Sequence, residues 1–275
     1  MRYRDFLKTQ LKNRLPEDIQ LPSGFHIVGH VALVHLNSSL QEYASIIGDA
    51  TLSFDDRIKS VAIRTGPTSG EKRHPDFEVV AGDCNTVTTH IENGVQFRLD
   101  PIRITFSGGN KRERINIVKQ IKSGEIVVDM FSCVGQFALQ IAKSTDALVT
   151  AIEINDDAYQ FLLDNIRINK LENRVTALLG DCRKVHPINY ANRIIMGYLH
   201  NTDLYLPHAL DTLTQEGGII HMHIAIQRDI LEDTTSRIGE ICSRKGFESQ
   251  IQVRKIKNYS PGVDHVVFDI NLGLL

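Results

Sequence analysis

The sequence predicts an α/β protein with a largely parallel, seven-stranded sheet and a smaller N-terminal β-rich α+β module. Three observations predict this fold class. After residue 107, five apolar, β-branched runs alternate with helical patterns, and two further strand-like runs follow them. Before residue 107, short strand-like runs are separated by turn residues. Strands that alternate with helices pair in parallel, because each crossover returns the chain to the same end of the sheet.

Length and composition allow two units of structure. The chain has 275 residues and a hydrophobic content of 42%, whereas single cores stop growing at about 250 residues. We therefore predict an N-terminal helix and β-rich module over residues 1–106 and a second domain over residues 107–275.

In the N-terminal module, a helical pattern precedes the strands. Apolar residues at helical spacing predict an amphipathic helix over residues 3–15, which the following prolines end. Strand-like runs then extend from His26 to Phe106, with one helix at about residues 40–49. Within them, Asn93-Gly94 is typical of a tight hairpin turn.

The second domain has the stronger pattern. Its apolar β-branched runs are residues 126–130, 148–153, 175–179, 193–197 and 218–224, and its helical patterns are residues 135–143, 156–169, 203–213 and 228–245. Two final strands at residues 249–256 and 265–272 are joined by the tight turn Ser260-Pro261-Gly262. That last pair is expected to be antiparallel.

Charge and cysteine content exclude several classes of protein. The 31 basic and 33 acidic side chains nearly cancel, so nucleic-acid binding requires local basic patches. The four cysteines form no CxxC pair, which disfavours a zinc site of the usual spacing and favours reduced thiols. No apolar run reaches the length of a membrane span or of a secretion signal. We expect a cytoplasmic protein with no membrane partner.

The stretch VVDMFSCVGQF (127–137) is the most informative in the sequence. It combines a strand that ends in an acid, a turn with Gly135, and a helix. In open α/β sheets, ligands bind beyond the carboxyl ends of the strands, and glycine there lets the backbone approach the ligand. Asp129 and Phe131 are therefore predicted to line a pocket, although such a junction also occurs without function.

Two further strand ends strengthen the prediction of a ligand pocket. Glu153 ends the next strand, where a carboxylate can accept two hydrogen bonds from a ribose diol. Asp181 and Cys182 follow the third strand, where an acid can meet the exocyclic amine of adenine and a small side chain can touch the ring. A solvated acid and a turn-initiating aspartate are the alternatives. With no phosphate-binding GxxxxGK[ST] loop in the sequence, the pattern indicates an adenosine site.

His221 and His223 lie two residues apart on a predicted strand and therefore point to the same face, as a metal pair does. Ordinary sheet histidines are favoured, because the sequence positions no third ligand. We expect no metal.

The motifs DMFSCVGQF, AIEIN, DNIRINKLENRV and LLGDCR together resemble the class I methyltransferase core of tRNA position-37 modification enzymes. The resemblance implies a Rossmann-like, class I methyltransferase-like sheet. Two branches share that core: the tRNA guanosine-37 N1-methyltransferases and the archaeal tRNA wybutosine-synthesizing protein 2 family, which transfers an aminocarboxypropyl group. EKRHPDFEVVAG and IKNYSPGVDHVVFDINL resemble segments of the second branch, and the resemblance extends from about Leu21 to the C-terminus.

Two departures favour the second branch. The methyltransferases typically have Phe-Ser-Pro-Arg in the linker and Asn-Leu-Pro after strand four. Here the chain has Phe-Ser-Gly-Gly at residues 106–109 and Met-Gly-Tyr at residues 196–198. Three other positions, Cys133, Gly108 and Asp264, depart from the glycine, proline and tryptophan usual in the family.

The resemblance implies that S-adenosylmethionine is the donor substrate. It implies donor-binding roles for Ser107, Arg114, Glu153, Asp181 and Cys182. Arg114 suits the methionine carboxylate, because a guanidinium can bind it bidentately. No residue is assigned as catalytic, and no obligate protein partner is evident.

The implied reaction moves the 3-amino-3-carboxypropyl group to carbon 7 of 4-demethylwyosine at position 37, in the anticodon stem-loop of tRNA, as a step in wybutosine-derivative biosynthesis. The alternatives are a tRNA guanosine-37 N1-methyltransferase of the same fold and a non-catalytic tRNA-binding or nucleotide-binding protein.

Two basic stretches are candidates for contacting the phosphate backbone. The first comprises Lys111, Arg112, Lys119 and Lys122, and the second comprises Arg254, Lys255 and Lys257. A solvated surface is the alternative for each.

Overall fold

The computed structural model describes residues 1–16 and 18–275, so Glu17, inside the predicted N-terminal module, lies outside the described residues. The chain forms two compact units, Met1–Gly109 and Asn110–Leu275. The sequence predicts the boundary after residue 106, and the contacts divide the chain after Gly109.

The first unit begins with helix α1 (Tyr3–Gln10), whose Tyr3 and Leu7 are buried. This helix is shorter than the predicted span of residues 3–15. The chain turns after Leu11, and Asn13 adopts a φ of 66°. A left-handed residue cannot continue a right-handed helix, so the predicted C-terminal end is wrong.

A four-stranded sheet forms the body of the first unit. Its strands, in spatial order, are β1 (His26–Val28), β2 (Val31–Val34), β3 (Ser60–Ser69) and β4 (His74–Gly82). β2 and β3 are parallel, and the other pairs are antiparallel. The helix predicted at residues 40–49 is a 3₁₀ turn (Ser38–Tyr43) followed by α2 (Ala44–Leu52), which packs on β3 and β4.

A hairpin completes the first unit, with strands β5 (Thr88–Glu92) and β6 (Val95–Leu99). Asn93 and Gly94 have φ values of 51° and 78°. Two consecutive left-handed residues match the twist of a hairpin, so the predicted turn is confirmed. The strand-like run predicted over residues 95–106 ends at Leu99, because the Asp100 carboxylate accepts hydrogen bonds from Thr86 Oγ1 at 2.7 Å and from the Ile102 amide at 3.3 Å. The chain therefore turns where a strand would continue.

The second unit is built on a seven-stranded sheet. Its strands are β7 (Ile126–Asp129), β8 (Leu148–Glu153), β9 (Val175–Leu179), β10 (Arg193–Met196), β11 (Gly218–Gln227), β12 (Phe247–Ser260) and β13 (Val263–Leu274). The spatial order is β12-β13-β11-β10-β7-β8-β9. β7 to β11 pair in parallel, and β13 lies antiparallel between β11 and β12. The predicted fold class and the antiparallel last pair are confirmed.

Helices connect and cover these strands. They are α3 (Lys111–Val118), α4 (Ala138–Ser144), α5 (Asp156–Ile168), α6 (Cys182–Val185), α7 (Leu206–Thr212) and α8 (Leu231–Arg244). The central strands are buried, as strands covered by helices must be. α4 begins later than predicted, because residues 131–137 form the turn that follows β7. No helix in the described ranges is both long and apolar enough to cross a membrane.

Candidate donor-binding site

Asp129 closes the turn at the carboxyl end of β7. Its side chain is fully buried. Oδ1 accepts from the Phe131 amide and Oδ2 from the Ala138 amide, each at 3.3 Å. Burial raises the pKa of Asp129 from its ordinary value to about 7, and the nearby Glu153 charge adds to the shift. In this structure Asp129 stabilises the turn through these two hydrogen bonds. Its contact with the donor stays a prediction.

Two residues with positive φ give that turn its shape. Gly135 has a φ of 93°, and a Cβ there would lie 2.6 Å from Leu139 Cγ, so a side chain does not fit. Cys133 has a φ of 51° although it is not glycine. A left-handed conformation costs an L-residue about 1–2 kcal/mol. Burial raises the pKa of the Cys133 thiol, so the thiol is not poised as a nucleophile.

Glu153 joins the turns at the ends of two strands. Its Oε2 accepts from the Cys133 amide at 2.6 Å, and its Oε1 accepts from the Asn155 amide at 2.7 Å. Burial raises the pKa of Glu153, and these hydrogen bonds oppose that shift. Each carboxylate oxygen has a second lone pair. The group can therefore hold both turns and still accept hydrogen bonds from a diol.

Asp181 precedes α6 and is held by Arg183. Its carboxylate accepts from the Arg183 amide at 2.9 Å and forms an ion pair with the guanidinium at 2.6 Å, which lowers the pKa of Asp181. The same guanidinium lies 5.2 Å from the ring centroid of Tyr205. Arg183 is not among the residues predicted from the sequence, yet it pairs with the carboxylate that is expected to meet adenine. Cys182 is buried, and burial raises its pKa to about 12.

Three aromatic rings, here called the aromatic wall, lie beyond the strand ends. Phe131 and Tyr198 are stacked, with centroids 5.3 Å apart and planes 22° apart. Tyr205 meets both edge-on, at 5.0 Å from Phe131 and 6.2 Å from Tyr198. Beside Tyr198, a Cβ on Gly197 would lie 3.2 Å from Phe137, so the Met-Gly-Tyr segment packs closely. Aromatic faces of this kind stack on nucleobases.

The two remaining predicted residues fall in different units. Ser107 is exposed and belongs to Met1–Gly109. Arg114 lies on α3, in the second unit, and is 1% exposed. One helical turn before it, Asn110 Oδ1 is buried with no hydrogen-bond partner in the described chain. A buried guanidinium can donate to the carboxylate of an amino acid, and a buried acceptor oxygen without a partner can accept from its ammonium group. Asn110 is not among the residues predicted from the sequence.

A chain of charged and imidazole groups runs through the second unit. Its members are Glu113, Arg254, Asp269, His221, Arg193 and Glu125. His221 Nδ1 lies 2.6 Å from Asp269 Oδ1, and its Nε2 lies 2.7 Å from Arg193 Nη1. Both ring nitrogens of His221 are therefore engaged. His223 is also fully buried, with Nδ1 3.1 Å from His265 Nε2.

Ion pairs involve two residues of the second predicted basic stretch. Arg254 pairs with Glu113 at 2.6 Å and also with Asp269, and Lys255 pairs with Asp264 at 2.8 Å. Neighbouring carboxylates therefore compete with phosphate for Arg254 and Lys255, and the predicted contact of this stretch with the phosphate backbone stays a prediction. In the first stretch, Lys111, Arg112, Lys119 and Lys122 are all exposed.

The sheet topology and the residues at the strand ends define a protein of the class I methyltransferase-like fold. A family model described as the TRM5/TYW2 methyltransferase domain matches residues 88–251, and one described as the TYW2 N-terminal domain matches residues 7–86. The chain belongs to the TRM5/TYW2 family, as the resemblance in the sequence predicts.

Individual relatives cover nearly the whole chain. The tRNA(Phe) (4-demethylwyosine(37)-C(7)) aminocarboxypropyltransferase of Pyrococcus horikoshii is 36% identical over 95% of this chain and 94% of that protein. The tRNA (guanine(37)-N(1))-methyltransferase Trm5b of Pyrococcus abyssi is 32% identical over 94% of this chain and 78% of that protein.

Solved structures show the same likeness. Pyrococcus horikoshii TYW2 in complex with MeSAdo is 33% identical with a TM-score of 0.86, and the match covers 98% of this chain and 99% of that one. The complex of aTrm5 and tRNALeu is 27% identical with a TM-score of 0.84, over 98% of this chain and 78% of that one.

Proposed function

We propose that this chain transfers the 3-amino-3-carboxypropyl group of S-adenosylmethionine to carbon 7 of 4-demethylwyosine at tRNA position 37. The observation that carries the proposal is Met196-Gly197-Tyr198 at the carboxyl end of β10, where the methylating branch typically has Asn-Leu-Pro. Tyr198 extends a stacking surface there. The TYW2 N-terminal domain match and the 36% identity to an aminocarboxypropyltransferase support the same choice.

In the proposed site, each residue has a binding or orienting role. Glu153 accepts hydrogen bonds from the ribose diol while its backbone contacts keep the carboxylate in place. Cys182 lines the adenine position, and Asp181 meets the exocyclic amine once Arg183 moves aside. Asp129 supports the floor through the turn, and Phe131 contributes the adjoining ring. Arg114 binds the methionine carboxylate, and Ser107 stays a predicted contact of the donor.

The chemistry depends on the placement of the acceptor base. The sulfonium of S-adenosylmethionine activates three attached carbons, so orientation selects the product. Carbon 7 of the base forms a bond to the γ-carbon of the methionine chain, the bond from that carbon to sulfur breaks, methylthioadenosine leaves, and the carbon 7 proton is released. The aromatic wall would hold the tricyclic base by stacking and so limit which carbon it faces. No residue is proposed as the general base.

Binding of tRNA, through its anticodon stem-loop, and a cytoplasmic location are parts of the same proposal. The relative aTrm5 is known in complex with tRNALeu. The exposed residues Lys111, Arg112, Lys119 and Lys122 are the candidate phosphate contacts.

A guanosine-37 N1-methyltransferase is the second candidate, since a relative with that name is 32% identical. The small product distinguishes the two reactions. Carbon-chain transfer leaves methylthioadenosine, and methyl transfer leaves S-adenosylhomocysteine.

The deciding experiment incubates the protein with S-adenosylmethionine and tRNA that carries 4-demethylwyosine, and identifies the nucleoside product by mass spectrometry. A parallel reaction uses tRNA with unmodified guanosine at position 37. We expect methylthioadenosine in the first reaction and neither product in the second. S-adenosylhomocysteine in the second reaction, with no methylthioadenosine in the first, would establish the methyltransferase instead. Intact tRNA binding with neither product would favour a non-catalytic protein.

A further inference from the structure

Three side chains that commonly bind metals meet outside the pocket described above. His186, His208 and Asp211 each have one ligand atom within 4.8 Å of the others. All three residues are half-buried. His208 and Asp211 lie three residues apart on α7 and therefore share a face of that helix. His186 comes from the segment after α6, and its ring meets the His208 ring with centroids 5.1 Å apart.

The hydrogen bonding of His186 leaves it in the form that a metal ligand requires. Its Nδ1 lies 2.8 Å from the carbonyl oxygen of Cys182. Because a carbonyl oxygen can only accept, Nδ1 carries the proton and Nε2 presents a lone pair in the neutral ring. That Nε2 is buried and has no hydrogen-bond partner among residues 1–16 and 18–275. Metal-bound histidines usually donate their other N–H to a carbonyl or carboxylate in this way.

Backbone hydrogen bonds hold the segment that carries His186 against the end of α7. The Asn189 amide donates to the Asp211 carbonyl at 3.0 Å, and the Tyr190 amide donates to the Thr212 carbonyl at 2.9 Å. A tetrahedral ion with bonds of about 2.0–2.1 Å requires ligand atoms about 3.4 Å apart. The three ligand atoms lie within 4.8 Å of one another, so each pair has to approach by at most about 1.4 Å to reach that spacing.

Lys245 is the competing cation at this place. Its Nζ lies 2.6 Å from Asp211 Oδ1, and its side chain is 36% exposed. The lysine engages one carboxylate oxygen, so a second oxygen is available to an ion. A nearby ammonium opposes cations that bind through charge alone, whereas two imidazoles favour a transition metal.

We propose that His186, His208 and Asp211 form a binding site for a divalent transition-metal ion of the zinc class, with water completing the coordination shell. The bound ion would join the segment that follows Cys182 to α7. This proposal does not depend on the proposed reaction, because it rests on the side-chain cluster alone.

Zinc binding to untagged protein tests the proposal, since a polyhistidine tag binds the same ions. The protein is first dialysed against a chelator and then titrated with ZnCl₂ in a calorimeter. We expect one ion per chain. Loss of a contact that merely orients a metal ligand weakens affinity about 10–100-fold, so His186→Ala, His208→Ala and Asp211→Ala should each weaken binding by at least that much. His74→Ala is the matched control, because His74 is exposed on β4 and outside the cluster.

Several outcomes would overturn the proposal. These are a parent protein without saturable zinc binding, unchanged affinity in the three cluster variants, and equal weakening in His74→Ala. Circular dichroism checks that each variant is folded. If a cluster variant unfolds, Co²⁺ added to the parent protein decides. The intense visible absorption of tetrahedral Co²⁺ with nitrogen and oxygen ligands supports the site, and its absence overturns it.

Discussion

Replacing Glu153 separates donor binding from folding, because its carboxylate contacts two backbone amides and is also the proposed partner of the ribose. Glu153→Ala should bind S-adenosylmethionine much more weakly than the parent protein. It should also be less stable, because the Cys133 and Asn155 amides lose their acceptor. The two effects are measured independently.

The size of each effect follows from the hydrogen bonds that are lost. Two hydrogen bonds from a diol to a carboxylate contribute about 1.5–3 kcal/mol each. Their loss amounts to about 3 kcal/mol or more, which is about a 100-fold loss of affinity. A buried amide left without an acceptor costs about 1–3 kcal/mol. Removing the desolvated carboxylate offsets part of that cost, so a net destabilisation of about 1–3 kcal/mol is expected.

Calorimetry with S-adenosylmethionine measures the affinity, and urea unfolding measures the stability. Glu172→Ala is the control, since Glu172 is an exposed glutamate in the same unit. Glu153→Gln should lie between the parent and Glu153→Ala, because its amide retains one acceptor oxygen. A folded Glu153→Ala protein that binds within twofold of the parent would refute the ribose contact.

Three further predictions concern the turn and the basic surface. Folding raises the pKa of Asp129 from 3.8 to about 7. Between these two pH values the carboxyl group is protonated in the folded state and ionised in the unfolded state, so the free energy of unfolding falls as pH rises from 3.8 to about 7. Asp129→Asn should lack this decline. Urea unfolding of both proteins between pH 4.5 and 7.5 measures the free energy of unfolding, and an equal change of that free energy with pH in the two proteins would contradict the prediction. Cys133→Gly relieves left-handed strain of about 1–2 kcal/mol and adds a backbone-entropy cost of about 0.5–1 kcal/mol. Its urea midpoint should therefore equal or exceed that of the parent protein, whereas Cys133→Val should unfold at a lower urea concentration. The reverse order of the two variants would contradict the strain at residue 133. Replacing both Lys111 and Arg112 by alanine should make the slope of log affinity for tRNA against log salt concentration shallower by up to about 2. Filter binding at several salt concentrations measures that slope, and an unchanged slope would mean that these residues are solvated surface.

Much of the second unit was predictable because its elements are local. Buried parallel strands are continuous apolar runs, and each helix between them has an apolar periodicity that is visible in one segment. The hairpin at Asn93-Gly94 was predictable for the same reason, since two residues determine its backbone. The predicted elements have wrong ends at two places. After β6 the Asp100 side chain turns the backbone, and after α1 the left-handed backbone of Asn13 ends the helical pattern.

The candidate site divides in the same way. Phe131, Glu153 and Asp181 were predictable because each lies at the end of a strand or just after it, and strand ends converge on one edge of a parallel sheet. The interactions of these residues were not predictable. Asp181 is held by Arg183, and Glu153 joins two turns. These contacts depend on rotamers and on the exact approach of neighbouring loops.

The sequence by itself determined the order of the elements, the type of sheet and the strand ends at which a nucleoside donor would bind, because hydrophobic periodicity and turn residues act over a few positions. The tertiary structure alone decided which charges are available and which side chains meet. Arg254 belongs to a predicted basic stretch, yet it pairs with Glu113, 141 residues away. His186 and His208 come together although the sequence spacing of the histidines indicates no metal site. Long-range pairs of this kind form only when packing brings distant segments together, and no pattern within one segment encodes them.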